Sequence, residues 1–273
     1  MLKSLASVVL AFTVSAAGSA FAADTPLKAL LITGGCCHDY KAQKDILKSG
    51  LEARLNIVVE QIHTDDKSTK PPFPHHGNPE YAKGFDLVIH NECAADIKDP
   101  AVIDAVLKPH MVDGLPAINL HCAMHSYRFG DIGKPVTASA DNAKWFLFLG
   151  LQSTGHGPQE PIEIVFTDAE HPITKGIASW ITIKEELYNN IAVHGGHVLA
   201  KGKQKVGDKV VENIVAWTNE VGPKKAKVFS TSLGHNNDTV ADARYLDMIA
   251  RAVLWSTGKL NADGTAAKGY GKK

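Results

Sequence analysis

The sequence predicts an α/β protein with a parallel sheet flanked by helices, extended by antiparallel strands in its second half. In the first half, short apolar runs alternate with segments whose apolar residues recur at helical spacing, the pattern of βαβ units. In the second half, strand-like runs follow one another with few helices between them. We therefore expect one sheet that continues into an antiparallel extension, rather than two separate domains.

The elements of the first half are set by apolar runs and the turns beside them. A strand over residues 27–33 ends at Gly34-Gly35, which marks a tight turn. Apolar residues at helical spacing predict a helix over 38–55, and Asp99-Pro100 predicts the start of another that runs to Met111. Further strands are predicted at 57–63, 85–91 and 116–120.

The second half is predicted to be mostly strand. The runs that indicate strands lie at 161–167, 181–188, 197–201, 210–217 and 227–232. An amphipathic helix is predicted over 241–255. The Gly, Ala and Lys content of residues 260–273 predicts a flexible tail.

The first 22 residues have the pattern of an export signal. A basic start precedes an apolar stretch, and Ala20-Phe21-Ala22 has the small residues of a cleavage site. The apolar stretch is shorter than the ~20 residues that a membrane-spanning helix needs. We expect cleavage after Ala22, a domain over residues 23–259, and a periplasmic or secreted location.

Charge balance argues against two classes of partner. Lys plus Arg and Asp plus Glu each total 29 residues. A balanced chain offers no electrostatic basis for binding nucleic acid or an anionic membrane surface. We expect neither as a partner, and the sequence leaves the oligomeric state open.

Four cysteines have to be interpreted for an oxidising compartment. Cys36 and Cys37 are neighbours, and neighbouring cysteines rarely bridge to each other. A disulfide from one of them to Cys93 or Cys122 is reasonable if all four lie at one edge of the sheet. A metal-bound thiolate and a nucleophile remain as alternatives.

Histidine and cysteine recur just after predicted strands. His38, His121 and His235 follow three of them, and His90 closes another. In an open parallel sheet, ligands bind in the crevice beyond the carboxyl ends of the strands. Imidazoles from distant parts of the sequence are therefore expected to meet at one edge, where they can bind a transition metal or move protons.

Six short motifs span nearly the whole chain after the export signal. They are Gly34-Gly35 with His38-Asp39, His121 after a strand, Gly155-His156-Gly157, His171-Pro172-Ile173-Thr174-Lys175-Gly176-Ile177, Glu185-Glu186-Leu187-Tyr188, and Trp217 with Leu233-Gly234-His235. In this order they resemble the ThuA-like family, which is named for trehalose utilisation and has the flavodoxin-like fold of class I glutamine amidotransferases. The usual acidic pair of the family is Asp-Glu, so the role of Glu185 stays open.

The resemblance implies a carbohydrate as the small-molecule substrate, with 3-keto glycosides as one case, and a divalent metal in the crevice. His38, His121 and His235 are the expected ligands, and zinc, manganese or iron would suit them. No nucleotide cofactor is expected. We expect His156 beside them, as a further ligand or a base.

The acidic motif lies in a predicted strand, where neighbouring side chains point to opposite faces. Glu186 matches the family's acid and is expected to be a ligand or the general base. Tyr188 shares its face by alternation and is expected to donate to a sugar hydroxyl. Glu186, His156 and Tyr188 are thus the expected catalytic residues.

Two further features have alternative interpretations. Cys122 follows a strand at a sharp turn, as the nucleophile of a hydrolase does, but Leu120 and Met124 stand where glycines usually flank such an elbow. The proline-rich residues 67–79 are either a surface loop or a flap over the crevice. The leading hypothesis is a metal-assisted enzyme that hydrolyses a glycoside or eliminates across it. The alternatives are a non-catalytic sugar-binding module and, as the weakest, a hydrolase dependent on Cys122.

Overall fold

The computed structural model describes residues 25–272, so the predicted export signal over 1–22 lies outside the described residues. The strands are β1 (Leu27–Gly35), β2 (Ile57–His63), β3 (Leu87–Cys93), β4 (Ala117–Leu120), β5 (Leu151–Phe166), β6 (Trp180–Val193), β7 (His197–Val206), β8 (Lys209–Val221) and β9 (Ala226–Thr231). The helices are α1 (Tyr40–Glu52), α2 (Pro100–Met111), α3 (Lys144–Leu149), α4 (Asn237–Ala241) and α5 (Ala243–Ser256). No helix among these residues is long and apolar enough to cross a membrane.

The described strands form one sheet in the order β2-β1-β3-β4-β9-β8-β7-β5-β6. The pairs from β2 through β1, β3 and β4 to β9 are parallel. The pairs from β9 through β8, β7 and β5 to β6 are antiparallel. The predicted α/β fold, with a parallel sheet and an antiparallel extension, is confirmed.

Helices cover both faces of the parallel part. The apolar faces of α1 and α5 pack in one hydrophobic cluster, through side chains such as Leu47 and Ile249. The faces of α2 and α3 pack in a second, through Val106 and Trp145. With both faces covered, the carboxyl edge of the parallel strands is the place left for a ligand.

The starts of α1 and α2 are capped by aspartates. The Asp39 carboxylate accepts from the backbone N–H of Ala42 at 3.2 Å, and Asp99 accepts from Ala101 at 2.9 Å. Because Asp39 caps α1, this helix begins later than the predicted residue 38. His38 consequently lies in the turn after β1, at the carboxyl edge of the sheet.

Strand β5 begins ten residues before the predicted start at 161 and includes Gly155-His156-Gly157. Its pairing with β6 has register shifts between Gln152 and Gln159. Bulges of this kind break the two-residue alternation by which a strand is predicted. Strand β6 likewise continues to Val193, beyond the predicted end at 188.

The segment after Leu260 packs against the body of the protein, where its composition predicts a flexible tail. Leu55 and Gly271 form a β-bridge, and the Tyr270 carbonyl accepts from the N–H of Asn56 at 3.0 Å. The ring of Tyr270 also packs on the hydrophobic core. These contacts tie residues 260–271 to the loop between α1 and β2.

Candidate functional site

Three histidines meet at the carboxyl edge of the parallel strands. His38 follows β1, His121 follows β4, and His235 follows β9. Their rings are 4.5 to 5.5 Å apart between centroids, and one nitrogen of each lies within 4.8 Å of the others. We call these residues the three-histidine cluster. The structure thus brings together the three residues that the sequence predicts as metal ligands.

The imidazole of His121 is fixed in one tautomer by the backbone. Its Nδ1 lies 2.6 Å from the carbonyl oxygen of Ser232, which can only accept, so Nδ1 carries the proton. Nε2 is the ring nitrogen that faces the cluster. His121 has a left-handed backbone, with φ of 44°, at the start of a 3₁₀ turn over His121–His125. This turn directs the side chain into the crevice.

The loop that carries His235 is held by Glu185. The carboxylate of Glu185 is fully buried and accepts from the backbone N–H groups of Gly234, His235 and Asn236, at 3.4, 3.1 and 3.2 Å. The position of Glu185, open from the sequence, is thus behind the cluster and not in the crevice. Gly234 adopts φ of 121°, a conformation that favours glycine.

Glu186 points the other way, into the crevice, as strand alternation predicts. Its carboxylate oxygens lie 3.5 Å from His121 Nε2, 3.6 Å from His156 Nε2 and 3.3 Å from His235 Nδ1. Gln159 donates to it from 3.1 Å. The carboxylate is thereby the centre of a group of imidazoles.

The charges of the cluster divide the histidines into two kinds. Burial, together with the neighbouring His121 and His235, lowers the pKa of His38 to about 2, so His38 is neutral. Hydrogen bonding to Glu186 raises the pKa of His235, against the effect of its burial. Burial alone would raise the pKa of Glu186, but its hydrogen bonds and charge interactions with His121 and His235 hold that pKa well below the usual range. Glu186 is therefore a carboxylate.

Tyr188 and His156 complete the predicted set. The Tyr188 hydroxyl lies 3.3 Å from His121 Nε2, and its ring stacks on that of His125 at 4.1 Å. The His156 side chain is 44% exposed and its Nδ1 donates to the Gly157 carbonyl, which leaves Nε2 facing Glu186. All six residues expected to be ligands or catalytic groups lie in one crevice.

Arg128 borders the same crevice and was not expected from the sequence. Its guanidinium donates to the carbonyls of His125 at 3.0 Å and Ser153 at 2.7 Å, and it is 9% exposed. Burial lowers its pKa to about 10. No carboxylate within residues 25–272 is close enough to form an ion pair with it. The one feature of the sequence that pointed to Arg128 is its position seven residues after His121, just beyond the turn that follows β4.

The crevice has two compartments. A cavity of about 350 Å³ is bordered by Arg128, His156, Glu186 and Tyr188, and a groove of about 680 Å³ runs past Asp39, His63 and Lys67. His38, His235 and Cys37 border both. The three-histidine cluster therefore stands where the compartments meet.

The cysteine pairing differs from the expected one. Cys36 is bonded to its neighbour Cys37, and Cys93 is bonded to Cys122. Cys37 has a left-handed backbone, with φ of 83°, and this sharp turn brings the two neighbouring sulfurs together. At Gly35, a Cβ would lie 2.1 Å from the Cys93 carbonyl, so only glycine lets the two strand ends approach this closely. The Cys122 thiol is engaged in a disulfide, which argues against its role as a nucleophile.

Other predicted positions lie around the crevice or away from it. His90 is fully buried within the sheet, where it contacts Glu92 at 2.8 Å. The proline-rich segment borders the crevice, since Thr69 contributes to the wall of the cavity. Its His75 and His76 contact the Tyr127 hydroxyl at 3.3 and 3.4 Å, so this part of the segment is tied to the turn after β4.

The structure is that of an α/β protein in which three histidines and a carboxylate lie in the crevice at the carboxyl edge of the parallel strands. Residues 28–256 match the family model described as ThuA, trehalose utilisation. The chain belongs to this family, as its motifs predict, and is in this sense related to carbohydrate metabolism.

A comparison with curated protein sequences finds no significant match. Among solved structures, a ThuA-like protein from Parabacteroides merdae ATCC 43184 is similar, with a TM-score of 0.63 and 18% identity over 91% of this chain and 98% of its own. A cold-adapted beta-galactosidase from Rahnella sp. R3 gives a TM-score of 0.49 and 11% identity, over 84% of this chain and 31% of its own. The likeness to the Parabacteroides protein bears on the fold alone, because a fold does not determine a function.

Proposed function

We propose that this protein is a metal-assisted enzyme that acts on a carbohydrate, and that His38, His121 and His235 bind one divalent ion. The observation that carries the proposal is the set of nitrogen donors in the three-histidine cluster beside a buried carboxylate. The family's link to trehalose utilisation supports a sugar substrate. We further propose that the protein is exported, as residues 1–22 predict.

The donor atoms fit a divalent ion. His38 Nδ1 is buried and has no hydrogen-bond partner within the described residues, and His235 Nδ1 faces the Glu186 carboxylate from 3.3 Å. His121 offers the lone pair of Nε2 while its Nδ1 donates to a backbone carbonyl, the arrangement usual for a metal-bound histidine. Three protein ligands with an open position is the arrangement of a catalytic site.

The carboxylate adds a negative charge to the donor set. Glu186 faces the imidazoles of His121 and His235 from 3.5 and 3.3 Å, and it is ionised. A divalent ion would be attracted by this charge, and zinc, manganese and iron all suit imidazole with carboxylate.

The chemistry follows from the positions of the side chains. When bound, a divalent ion supplies Lewis-acid stabilisation of negative charge that develops on a substrate oxygen. Glu186 is ionised and can take a proton from a carbon next to a keto group, or from an attacking water. Tyr188 can donate to a sugar hydroxyl, and Arg128 can donate to an oxygen in the cavity.

His156 suits the leaving group. It is the most exposed imidazole around Glu186, and its Nε2 is not used by the backbone. When protonated, it can donate to the glycosidic oxygen as the bond breaks, which is the role of a general acid. Hydrolysis of a glycoside and elimination across a 3-keto glycoside both need this pair of an acid and a base.

Metal analysis combined with product detection tests the proposal. Purified protein should contain close to one equivalent of zinc, manganese or iron, and His121→Ala should lose it. His197→Ala is the matched control, because His197 lies on the surface and contacts Asp168 instead. The loaded protein should convert one of a panel of native and 3-keto glycosides, detected by mass spectrometry. Protein that stays metal-free after reconstitution with all three ions would refute the metal site. Metal-loaded protein that binds sugar in calorimetry and converts none of the panel would instead be a sugar-binding module.

A further inference from the structure

The four cysteines form a continuous row of sulfurs at the floor of the crevice. Cys36 is bonded to Cys37, and Cys93 is bonded to Cys122. Between the two disulfides, Cys36 Sγ lies 3.4 Å from Cys93 Sγ. The row therefore runs from Cys37 through Cys36 and Cys93 to Cys122, without another side chain between neighbouring sulfurs.

The two ends of this row differ in exposure. Cys37 is exposed and borders both compartments of the crevice. Cys36, Cys93 and Cys122 are 9%, 2% and 6% exposed and pack together around Tyr40. An external thiol can therefore reach Cys37 most easily, while the buried sulfurs of Cys36 and Cys93, in the middle of the row, are protected from direct attack.

We propose that the row is a thiol-exchange relay, in which a small thiol that attacks Cys37 leads to a free thiol at Cys122. In the first step, the thiolate of the small thiol bonds to Cys37 Sγ, and the Cys36–Cys37 bond breaks with its electron pair on Cys36. In the second step, the Cys36 thiolate bonds to Cys93 Sγ, and the Cys93–Cys122 bond breaks with its electron pair on Cys122. The products are a mixed disulfide at Cys37, a Cys36–Cys93 disulfide and one thiol at Cys122. No net oxidation or reduction takes place, because one thiol enters and one is released.

The relay connects the groove to the centre of the site. Cys122 directly follows His121 and lies in the 3₁₀ turn that directs this imidazole. Cys122 also borders the cavity that holds Glu186 and Tyr188. A modification at the exposed end would thus replace a disulfide beside the cluster with an ionisable thiol. The exchange can take place whether or not the cluster binds a metal, and whichever reaction the protein catalyses.

Peptide mapping of the intact protein tests the relay. Native protein is treated briefly with a substoichiometric amount of reduced glutathione, quenched with acid, alkylated with iodoacetamide and digested with trypsin without reduction. The sequence places the four cysteines on three peptides: Cys36 and Cys37 on residues 29–41, Cys93 on 84–98 and Cys122 on 99–128. Fragmentation of peptide 29–41 distinguishes Cys36 from Cys37. We expect glutathione on Cys37, a cross-link between peptides 29–41 and 84–98, and the alkyl label mainly on peptide 99–128.

Three results would overturn the relay. One is glutathione on Cys37 with the label on Cys36 and an intact Cys93–Cys122 bond, which would mean that the second step does not occur. Another is glutathione on Cys93 or Cys122, which would place the entry point elsewhere. The third is no reaction of the native protein under conditions in which the denatured protein reacts. The double variant Cys93→Ser with Cys122→Ser keeps the first disulfide and removes the acceptor, so its label should move to Cys36.

Discussion

Glu185 and Glu186 are neighbours with opposite roles, and the same substitution at each separates stability from chemistry. The Glu185 carboxylate holds the backbone of the His235 loop, with Gly234 and His235 donating to one oxygen and Asn236 to the other. In Glu185→Gln, the amide oxygen can keep the first two bonds. The amide nitrogen then faces the N–H of Asn236, and two donors cannot pair.

The cost of Glu185→Gln follows from that lost bond. A buried hydrogen bond to a charged group contributes ~1.5–3 kcal/mol, so the free energy of unfolding should fall by about this amount. Because the loop also carries His235, metal affinity should fall ~10–100-fold, the usual effect of losing a group that orients a ligand. Glu185 thus acts as a positioning residue.

Glu186→Gln is the matched control, since it makes the same change one residue along β6. Glu186 holds no backbone loop, so we expect the backbone of the His235 loop to be retained and turnover to fall by ~100-fold or more, the scale of general-base catalysis. Urea denaturation of both variants gives stability, and titration with the reconstituting metal gives affinity. If Glu185→Gln unfolds at the same urea concentration as the unmodified protein and keeps its metal affinity, the reasoning is wrong.

Three further substitutions test other parts of the structure. Arg128→Lys keeps the positive charge but loses the planar guanidinium that donates to two carbonyls, so kcat/KM should fall by about tenfold or more. An unchanged kcat/KM would show that Arg128 has no role in binding or turnover. Tyr188→Phe keeps the ring stacked on His125 and removes the hydroxyl, so turnover should fall by at least about tenfold at an unchanged melting temperature, and full activity would exclude the hydroxyl from the reaction. Asp99→Ala removes the cap of α2 and should lower the free energy of unfolding by ~1 kcal/mol in urea denaturation without altering metal content. A change in metal content there would show that α2 is coupled to the site.

The sequence predicted the residues whose positions follow from simple periodic rules. His38, His121 and His235 each follow a parallel strand, and parallel strands end at one edge of a sheet. Glu186 and Tyr188 share a face because strand side chains alternate. These rules need no knowledge of which strands are neighbours.

The remaining features depend on contacts between distant segments. The role of Glu185 is defined by backbone donors some 50 residues further along the chain. The bond between Cys36 and Cys37 depends on the left-handed backbone of Cys37. Residues other than glycine rarely adopt this conformation, so it cannot be predicted from the residue type. Bulges interrupt the alternation in the first part of β5, and Arg128 is held in part by the carbonyl of Ser153, 25 residues further along the chain.

The insertion of β9 beside β4 makes the site depend on contacts between distant parts of the chain. The contact between His121 and Ser232 joins residues 111 positions apart, and the whole antiparallel extension lies in the chain between them. Closing so long a loop costs entropy and slows the pairing of distant strands. The extension can form from local hairpins, but His235 reaches His38 and His121 only when β9 has docked. A ligand that needs all three imidazoles therefore binds only the completed sheet, and its binding free energy adds in full to the stability of the folded chain.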